Sequence, residues 1–313
     1  MSERILIGID VGGTNCRGAV VGPDGMTGPL RRKETLAKTP ELFVDQLVQF
    51  VDELRDSAEG KPVHGLGLGV PGIISPSGDV LESPNLRFLD GFPLRETLSE
   101  RLELPISIVN DVNAICWGEA LYGAGRDMKS FIVVALGTGV GGGLVLDRQL
   151  WLGVDGAAGE VGHIPVEASG RLCGCGANGC LEQYASASGI VKSIIEMRTS
   201  GQKSLLDSTA VDDLTTHDIA AAARKGDIPA KKAFDSAGAR LGQVLAGVIN
   251  LLNLDGVIIT GGVSASFDLL EPALQKELRN RCFERSLKSV QIKRGELEDR
   301  AGIIGAALLS SEH

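Results

Sequence analysis

The sequence lacks any apolar run that approaches the ~20 residues of a membrane-spanning helix. It also lacks an excess of basic residues, because 31 lysines and arginines stand against 40 aspartates and glutamates, a net charge of −9. These two absences argue against a membrane protein and against a broad surface for nucleic acid, although a local basic pocket stays open. The first residues, Met-Ser-Glu-Arg, carry no signal-peptide pattern, so we expect a cytoplasmic protein.

Cysteine is also scarce, with 6 residues in 313. In a reducing compartment such thiols bind metals more often than they form disulfides. Glycine, in contrast, is abundant: the 42 glycines are roughly twice the usual ~7%. They cluster, which predicts tight turns where the backbone meets a ligand.

Short apolar runs alternate with helical patterns along the chain, which is typical of α/β layers. Residues 4–10 predict a strand and residues 16–21 a returning strand, followed by a helix from Pro40 that Thr39 caps. A strand, a Gly-Thr turn and a returning strand recur at residues 131–146, which we interpret as an internal duplication. Later helices are predicted at 229–252, 269–283 and 301–310.

The duplication predicts two domains. We expect a small domain over residues 1–124 and a large domain over residues 125–299. A loop-rich insertion at about 159–182 belongs to the large domain, and a terminal helix at about 300–313 packs back on the small one.

Three predicted strands end in glycine-rich turns, at residues 10–14, 137–143 and 261–262. Such turns present backbone N–H groups that bind phosphate oxygens, and Thr14 and Thr138 add hydroxyl donors. Asp10, at a strand end, is placed to hold a hydrated Mg²⁺. One such hairpin would most simply turn the chain, but three together favour a phosphate site.

Two familiar nucleotide motifs do not explain these turns. No Gly-x4-Gly-Lys-Ser/Thr sequence occurs in them, so the protein is not a P-loop enzyme. Gly137-x-Gly139-x-x-Gly142 matches the dinucleotide fingerprint, but that fingerprint opens a helix and a strand-like run follows here. A dehydrogenase is therefore disfavoured.

Asn110 and Asp111 follow a predicted strand and precede a predicted helix. A carboxylate there, beside an amide, can orient and deprotonate a hydroxyl group. Asp111 can equally serve as the N-cap of the helix. The two residues alone do not decide between these interpretations.

His163, Cys173, Cys175 and Cys180 lie within a short span that is rich in glycine. Three thiolates and one imidazole are the closed ligand set of a structural zinc site, with free thiols as the competing interpretation. Glu160 and Glu182 flank this set. Each could be an ordinary surface charge, but a shared anchor favours a site that accepts the hydroxyl protons of a sugar.

Together these motifs resemble the ROK family of sugar kinases, in the actin/hexokinase-like superfamily. The resemblance covers essentially the whole chain. It includes Asp10-Val-Gly-Gly-Thr14, the turn at residues 136–143, and the segment from Gly159 to Glu182 with its histidine and cysteines. It implies an α/β fold of two duplicated RNase H-like domains with a ligand cleft between them.

The resemblance also implies roles for individual residues. Asp111 would take the proton from the sugar 6-hydroxyl, and His163 would bind zinc through one nitrogen and touch the sugar through the other. The other sugar-binding residues would be Gly72, Asn85, Asn110, Glu160 and Glu182. ATP and Mg²⁺ would be held by Asp10, Gly12, Gly13, Thr14, Asn15, Thr138, Gly139, Gly261 and Gly262. Asn15 stands where many members carry lysine.

The implied activity is an ATP-dependent hexose kinase of glycolysis, with ATP, Mg²⁺ and a structural Zn²⁺, and glucose is the first choice of substrate. Other hexoses stay open: N-acetylmannosamine, N-acetylglucosamine, fructose and allose. The family also contains sugar-sensing regulators with a helix-turn-helix domain, for which we find no room before the first strand. Family members are commonly homodimers or homotetramers.

Overall fold

The structure is a computed structural model that describes residues 4–310. The chain forms two compact units. Unit 1 comprises the described residues up to Val133, Gly143–Gly159 and the described residues from Gly295; unit 2 comprises Val134–Gly142 and Glu160–Arg294. The domain bounds expected from the sequence stay a prediction. Among the described residues, no helix is both long and apolar enough to cross a membrane.

Strands and helices alternate in chain order. Within residues 4–310 the strands are β1 (Ile5–Val11), β2 (Asn15–Val21), β3 (Arg31–Glu34), β4 (Val63–Val70), β5 (Ile73–Ile74), β6 (Val80–Glu82), β7 (Ile106–Asn110), β8 (Phe131–Leu136), β9 (Val140–Leu146), β10 (Gln149–Trp151), β11 (Gly256–Thr260) and β12 (Gln291–Arg294). The α-helices of the same range are α1 (Pro40–Asp56), α2 (Leu94–Leu102), α3 (Asp111–Tyr122), α4 (Glu182–Ala185), α5 (Ala187–Thr199), α6 (Thr216–Arg224), α7 (Ile228–Leu252), α8 (Phe267–Arg281), α9 (Glu284–Ser289) and α10 (Ala301–Leu309).

The first sheet has the strand order β3-β2-β1-β4-β7. β1 to β3 are antiparallel neighbours, whereas β4 runs parallel to both β1 and β7. The register pairs Asp10 with Gly69, and Val70 with Asn110. The carboxyl ends of these parallel strands, with Asp10 and Asn110, therefore lie at one edge of the sheet, where ligands bind in open α/β sheets.

The second sheet has the order β10-β9-β8-β11-β12. In both sheets the earliest strand is central, its next two strands lie on one side, and later strands lie on the other. β9 and β10 are antiparallel, like β2 and β3, and β11 and β12 are parallel, like β4 and β7. The duplicated unit predicted from the sequence is confirmed by this shared strand order.

One predicted turn is wrong in extent. The sequence suggested a turn over residues 137–143, but β9 already begins at Val140, so the turn itself is Gly137–Gly139. Glycines 141 to 143 lie in the strand. Position 143 requires glycine because a Cβ there would lie 2.6 Å from the Cβ of Cys116 on α3. Close packing of strand on helix, rather than a ligand, explains this glycine.

The helix α1 forms as its sequence predicts. The Thr39 hydroxyl accepts from the backbone N–H of Leu42, and Pro40 occupies the first turn. Phe43, Leu47 and the later apolar residues of this helix are buried in the core of unit 1. Leu42, in the first turn beside the cap, is 57% exposed.

The helix α10 packs on the first sheet through glycines. A Cβ on Gly8 of β1 would lie 2.0 Å from the carbonyl oxygen of Ile303, and one on Gly67 of β4 would lie 1.8 Å from that of Ala306. Neither backbone carbonyl can move without bending the helix. Glycine at positions 8 and 67 is therefore explained by this helix, not by a ligand.

Glu119 fixes the chain that leads into α10. Its fully buried carboxylate accepts hydrogen bonds from the backbone N–H groups of Ala124 (2.8 Å), Glu296 (3.2 Å) and Leu297 (3.0 Å). We expect Glu119→Ala to lower the free energy of unfolding by about 3 kcal/mol, because several buried donors lose their acceptor. Urea denaturation measures this, with Glu100→Ala on the exposed side of α2 as the control. Equal losses in both variants would contradict the assignment.

Candidate active site

Unit 1 holds the first glycine turn at the end of β1. The turn closes by a hydrogen bond from the Gly12 N–H to the Asn15 carbonyl at 2.9 Å. A Cβ on Gly13 would lie 3.3 Å from the Cβ of Asn85, so this expected sugar residue lies against the turn. Thr14 is exposed, which leaves its hydroxyl accessible to a ligand.

Asp10 lies where β1 reaches this turn. Burial raises the pKa of Asp10 above its ordinary value, Arg17 opposes that rise and Asp299 adds to it. Arg17 is itself paired with Asp299 at 2.6 Å. The Asp10 carboxylate is mostly buried, and only Arg17 offsets the cost of its negative charge. It therefore fits a cation site, since Mg²⁺ commonly takes one or two carboxylates together with substrate phosphates.

Thr35 supports the first turn through two hydrogen bonds, and no sequence pattern points to this role. Its N–H donates to the Thr14 carbonyl at 2.8 Å, and its hydroxyl donates to the Gly12 carbonyl at 2.8 Å. The Cys16 thiol lies 3.5 Å from the same hydroxyl. Since a carbonyl only accepts, the hydroxyl proton points to Gly12, and the thiol donates to the hydroxyl oxygen. Burial raises the pKa of Cys16, which keeps this thiol protonated.

Asn110 and Asp111 divide the roles that the sequence left open. Asn110 is the N-cap of α3: its side-chain oxygen accepts from the N–H groups of Val112 (2.9 Å) and Asn113 (3.0 Å). Its amide also donates to the Gly72 carbonyl at 2.9 Å. Asp111 is therefore not the N-cap but the first helical residue, partly buried, with one oxygen 2.9 Å from the Val112 N–H.

Gly72 is required where it stands. Its φ is 125°, and a Cβ would lie 2.1 Å from the carbonyl oxygen of Glu82. The bond from Asn110 therefore ends on a backbone that only glycine can form. In unit 1, Gly72 thus lies beside Asn110 and Asp111 at the end of β7, while Asn85 lies beside the first turn.

Unit 2 brings together the complete predicted metal set. The ligand atoms of His163, Cys173, Cys175 and Cys180 all lie within 4.8 Å of one another. The Cys173 sulfur is 3.6 Å from His163 Nδ1, and the Cys175 and Cys180 sulfurs are also 3.6 Å apart. Ligand atoms around a tetrahedral Zn²⁺ are about 3.3–3.8 Å apart, so the donor types and these two distances fit zinc.

The protonation of the cysteines without metal is uneven. The pKa of Cys175 is lowered to about 7, first by the backbone N–H of Ala177 and then by Cys173. The pKa of Cys180 is raised to about 12, first by burial and then by its neighbouring sulfurs. One thiol thus ionises readily near neutral pH, whereas the buried one needs a cation to lose its proton.

His163 connects the metal set to an acid. Its Nδ1 faces Cys173, while its Nε2 lies 3.8 Å from a carboxylate oxygen of Glu160. Burial raises the pKa of Glu160, His163 opposes the rise, and Glu182 adds to it. The negative charge of Glu182 thus disfavours ionisation of Glu160, and both glutamates lie beside the metal set.

The second glycine turn, Gly137–Gly139, also belongs to unit 2 and lies beside Glu182. The Val140 N–H, which follows the turn, donates to the Glu182 carboxylate at 3.1 Å. Thr138 is exposed. The third turn meets this edge as well: Gly261 has a φ of 82°, and a Cβ on it would lie 2.5 Å from the Leu136 carbonyl oxygen. Gly262 follows and opens a short 3₁₀ segment.

Arg171 stabilises the loop that carries the metal set, residues 160–182, here called the metal loop. The sequence analysis did not identify this residue. Its guanidinium lies 4.6 Å from the centroid of the Tyr184 ring and pairs with Glu196 at 2.6 Å. Arg240 lies 4.3 Å from the same ring centroid. An arginine between His163 and Cys173 carries no motif of its own, so only the fold reveals that it ties the loop to α5, while Arg240 of α7 packs on the same tyrosine ring.

Comparisons with known proteins identify relatives that match nearly the whole chain. The model of the ROK family matches residues 6–313. A glucokinase from Halalkalibacterium halodurans is 34% identical over 318 residues, covering 99% of this chain and 96% of that protein. The crystal structure of a ROK family glucokinase from Streptomyces griseus, in complex with glucose and AMPPNP, has a TM-score of 0.84 at 32% identity and covers 99% of this chain and 100% of that one.

A regulator is also similar. The structure of a ROK family transcriptional regulator, a homolog of the E. coli MLC protein, has a TM-score of 0.91 at 25% identity and covers 99% of this chain and 78% of that one. These neighbours confirm the predicted α/β fold of the actin/hexokinase type with two sheet domains. Since the family model spans nearly the whole chain and a full-length relative exceeds 30% identity, the chain belongs to the ROK family.

Proposed function

We propose that the protein is an ATP-dependent hexose kinase, and that it transfers the γ-phosphoryl group of ATP to the 6-hydroxyl of glucose in the cytoplasm. The observation that carries this proposal is the carboxylate of Asp111. Asp111 is the first residue of a helix at a strand end, and its neighbour Asn110 provides the cap of that helix. The similarity to a glucokinase that binds glucose and AMPPNP supports the choice of substrate.

Asp111 acts as general base in this proposal. Phosphoryl transfer has a loose transition state, so the base contributes mainly by orienting the hydroxyl and accepting its proton late. Asn110 has one amide hydrogen left after its bond to Gly72, and this hydrogen can bind a sugar oxygen. Asn85 and Gly72 complete the sugar contacts that unit 1 supplies.

Unit 2 supplies Glu160, His163 and Glu182 to the other sugar hydroxyls. Carboxylates accept hydrogen bonds from hydroxyl groups, so they favour a polyhydroxylated ligand over an apolar one. His163 binds zinc through Nδ1 in this proposal, which leaves Nε2, on the Glu160 side, for the sugar. A zinc ion held by these four protein ligands would have no open position, so it would serve to fix these side chains.

The glycine turns bind the nucleotide. Asp10 holds Mg²⁺, Gly12, Gly13, Thr14 and Asn15 surround the phosphates in unit 1, and Thr138 and Gly139 do so in unit 2, with Gly261 and Gly262 near the adenosine. A shallow surface groove lies beside the second turn, lined by residues that include Ser188, Lys192 and Thr215. The Ser188 hydroxyl donates to the Thr138 carbonyl at 3.0 Å, which joins this groove to the turn.

Thr35 gives a prediction for the nucleotide site. We expect Thr35→Val to raise KM for ATP about fivefold, because the Gly12 carbonyl loses its hydroxyl donor and the first turn loosens. KM for the hexose should stay unchanged. Thr35→Ser keeps the hydroxyl and should behave like the wild type in steady-state kinetics. A Val variant whose KM for ATP equals that of the wild type would remove Thr35 from the nucleotide site.

A sugar-sensing regulator is the second candidate, favoured by the TM-score of 0.91 with a ROK regulator. A sensor needs the sugar contacts but not the base. Kinases for N-acetylmannosamine, N-acetylglucosamine, fructose or allose keep the same chemistry with a different sugar pocket. Release of ADP, measured with purified protein over this panel of hexoses, separates these functions. We expect the highest kcat/KM with glucose; another sugar preferred over glucose would correct the substrate, and no turnover with any hexose would favour the sensor.

A further inference from the structure

The segment 182–188, here called the linking segment, begins two residues after Cys180, and its two ends bond to the second glycine turn and to the first residue of β9. The Glu182 carboxylate accepts from the Val140 N–H at 3.1 Å. The Ala187 N–H donates to the Gly137 carbonyl at 2.9 Å, and the Ser188 hydroxyl to the Thr138 carbonyl at 3.0 Å. The turn thus takes its external bonds from a segment that the metal loop anchors.

The glycine at position 139 leaves room for the Glu182 carboxylate. A Cβ on Gly139 would lie 2.5 Å from Oε2 of Glu182, so only glycine lets the carboxylate reach the turn. The other oxygen, Oε1, lies 3.9 Å from the Cys173 sulfur. The two oxygens of one carboxylate therefore face two different parts of unit 2, the turn and the metal set.

A glycine turn needs such support. Glycine gives the backbone many accessible conformations, and N–H groups bind phosphate well only when they are held in place before the ligand arrives. The bond to Glu182 fixes the Val140 N–H, and with it the strand end from which the turn departs. The bonds from Ala187 and Ser188 fix the carbonyl side.

We propose that Glu182 is a positioning residue for the nucleotide turn, in addition to its place beside the sugar residues, and that the linking segment transmits the order of the metal loop to that turn. This inference rests on the proposed function. It predicts that the acceptor oxygen of residue 182, not its charge, supports nucleotide binding. Glutamine keeps that oxygen and alanine does not, so the two substitutions should differ.

The test measures the Kd of MgADP by titration calorimetry with full-length protein and no sugar. We expect Glu182→Ala to weaken binding about fivefold to tenfold and Ser188→Ala about threefold, since each removes hydrogen bonding to the turn. Glu182→Gln should bind at least as tightly as the wild type. Glu167→Ala, which removes a carboxylate of the same loop that lies 3.7 Å from Arg240, should leave the Kd unchanged.

Metal content and thermal unfolding show whether each variant keeps its fold. If Glu182→Ala loses metal, Ser188→Ala decides, because Ser188 bonds to the turn outside the metal set. Unchanged Kd values in the Ala variants would overturn the inference, as would a Gln variant as weak as the Ala variant. A wild type that binds no MgADP overturns the proposed function together with this inference. A wild type that binds MgADP but phosphorylates no hexose overturns only the kinase assignment.

Discussion

Asp111→Asn is expected to lower kcat for hexose phosphorylation about a thousandfold, because asparagine cannot accept the proton of the 6-hydroxyl. The substitution keeps the size of the side chain and one acceptor oxygen, so hexose affinity should stay within about threefold of the wild type. The cap of α3 is unaffected, since Asn110 provides it. The loss should therefore be confined to the chemical step.

The measurement is a coupled ADP-release assay for turnover, with calorimetry for hexose binding. Asp79→Asn is the matched control, because Asp79 is a unit 1 carboxylate engaged by the hydroxyls of Ser75 and Ser77 in a separate loop. We expect the control to retain full turnover. Turnover of Asp111→Asn close to that of the wild type would refute the assignment of the base.

Cys180→Ala is expected to abolish stoichiometric metal binding. The wild type should hold about one zinc per chain. Cys180 is fully buried, and its loss leaves three ligands, one of which is an exposed thiol that ionises near neutral pH. Because the metal loop carries Glu160 and Glu182, kcat/KM should fall at least about tenfold as these side chains lose their anchor.

Elemental analysis of metal per chain tests this prediction. Cys282→Ala is the control, since Cys282 is a partly exposed thiol outside the ligand set. It should retain both metal and activity. A wild type without metal and with full activity would contradict the structural role of the metal, as would full metal content in Cys180→Ala.

Local patterns were predicted well where a single physical rule governs them. The spacing of His163 and the three cysteines defines a ligand set whatever the surrounding fold, and the structure brings the four together. Thr39 and Pro40 start α1 because capping depends only on neighbouring residues. The duplicated sheets follow from the repeated strand, turn and strand.

The role of Asp111 stayed open because two neighbouring residues can cap the same helix, and a prediction failed where packing intervenes. Both Asn110 and Asp111 can cap a helix, and the bond from Asn110 to Gly72 selects the asparagine. Gly143 resembles a loop residue but is needed for contact with Cys116. Thr35 comes near the first turn only through strand pairing, and one threonine gives no periodic signal.

The central claim is tested most directly by identifying the product formed from glucose and MgATP by the purified wild-type protein. Phosphorus NMR and mass spectrometry should show glucose 6-phosphate in a 1:1 ratio with ADP. Formation of ADP without a sugar phosphate would mean that water, not the sugar, receives the phosphoryl group. Glucose binding with neither ADP nor a sugar phosphate would contradict the account and identify the protein as a sensor.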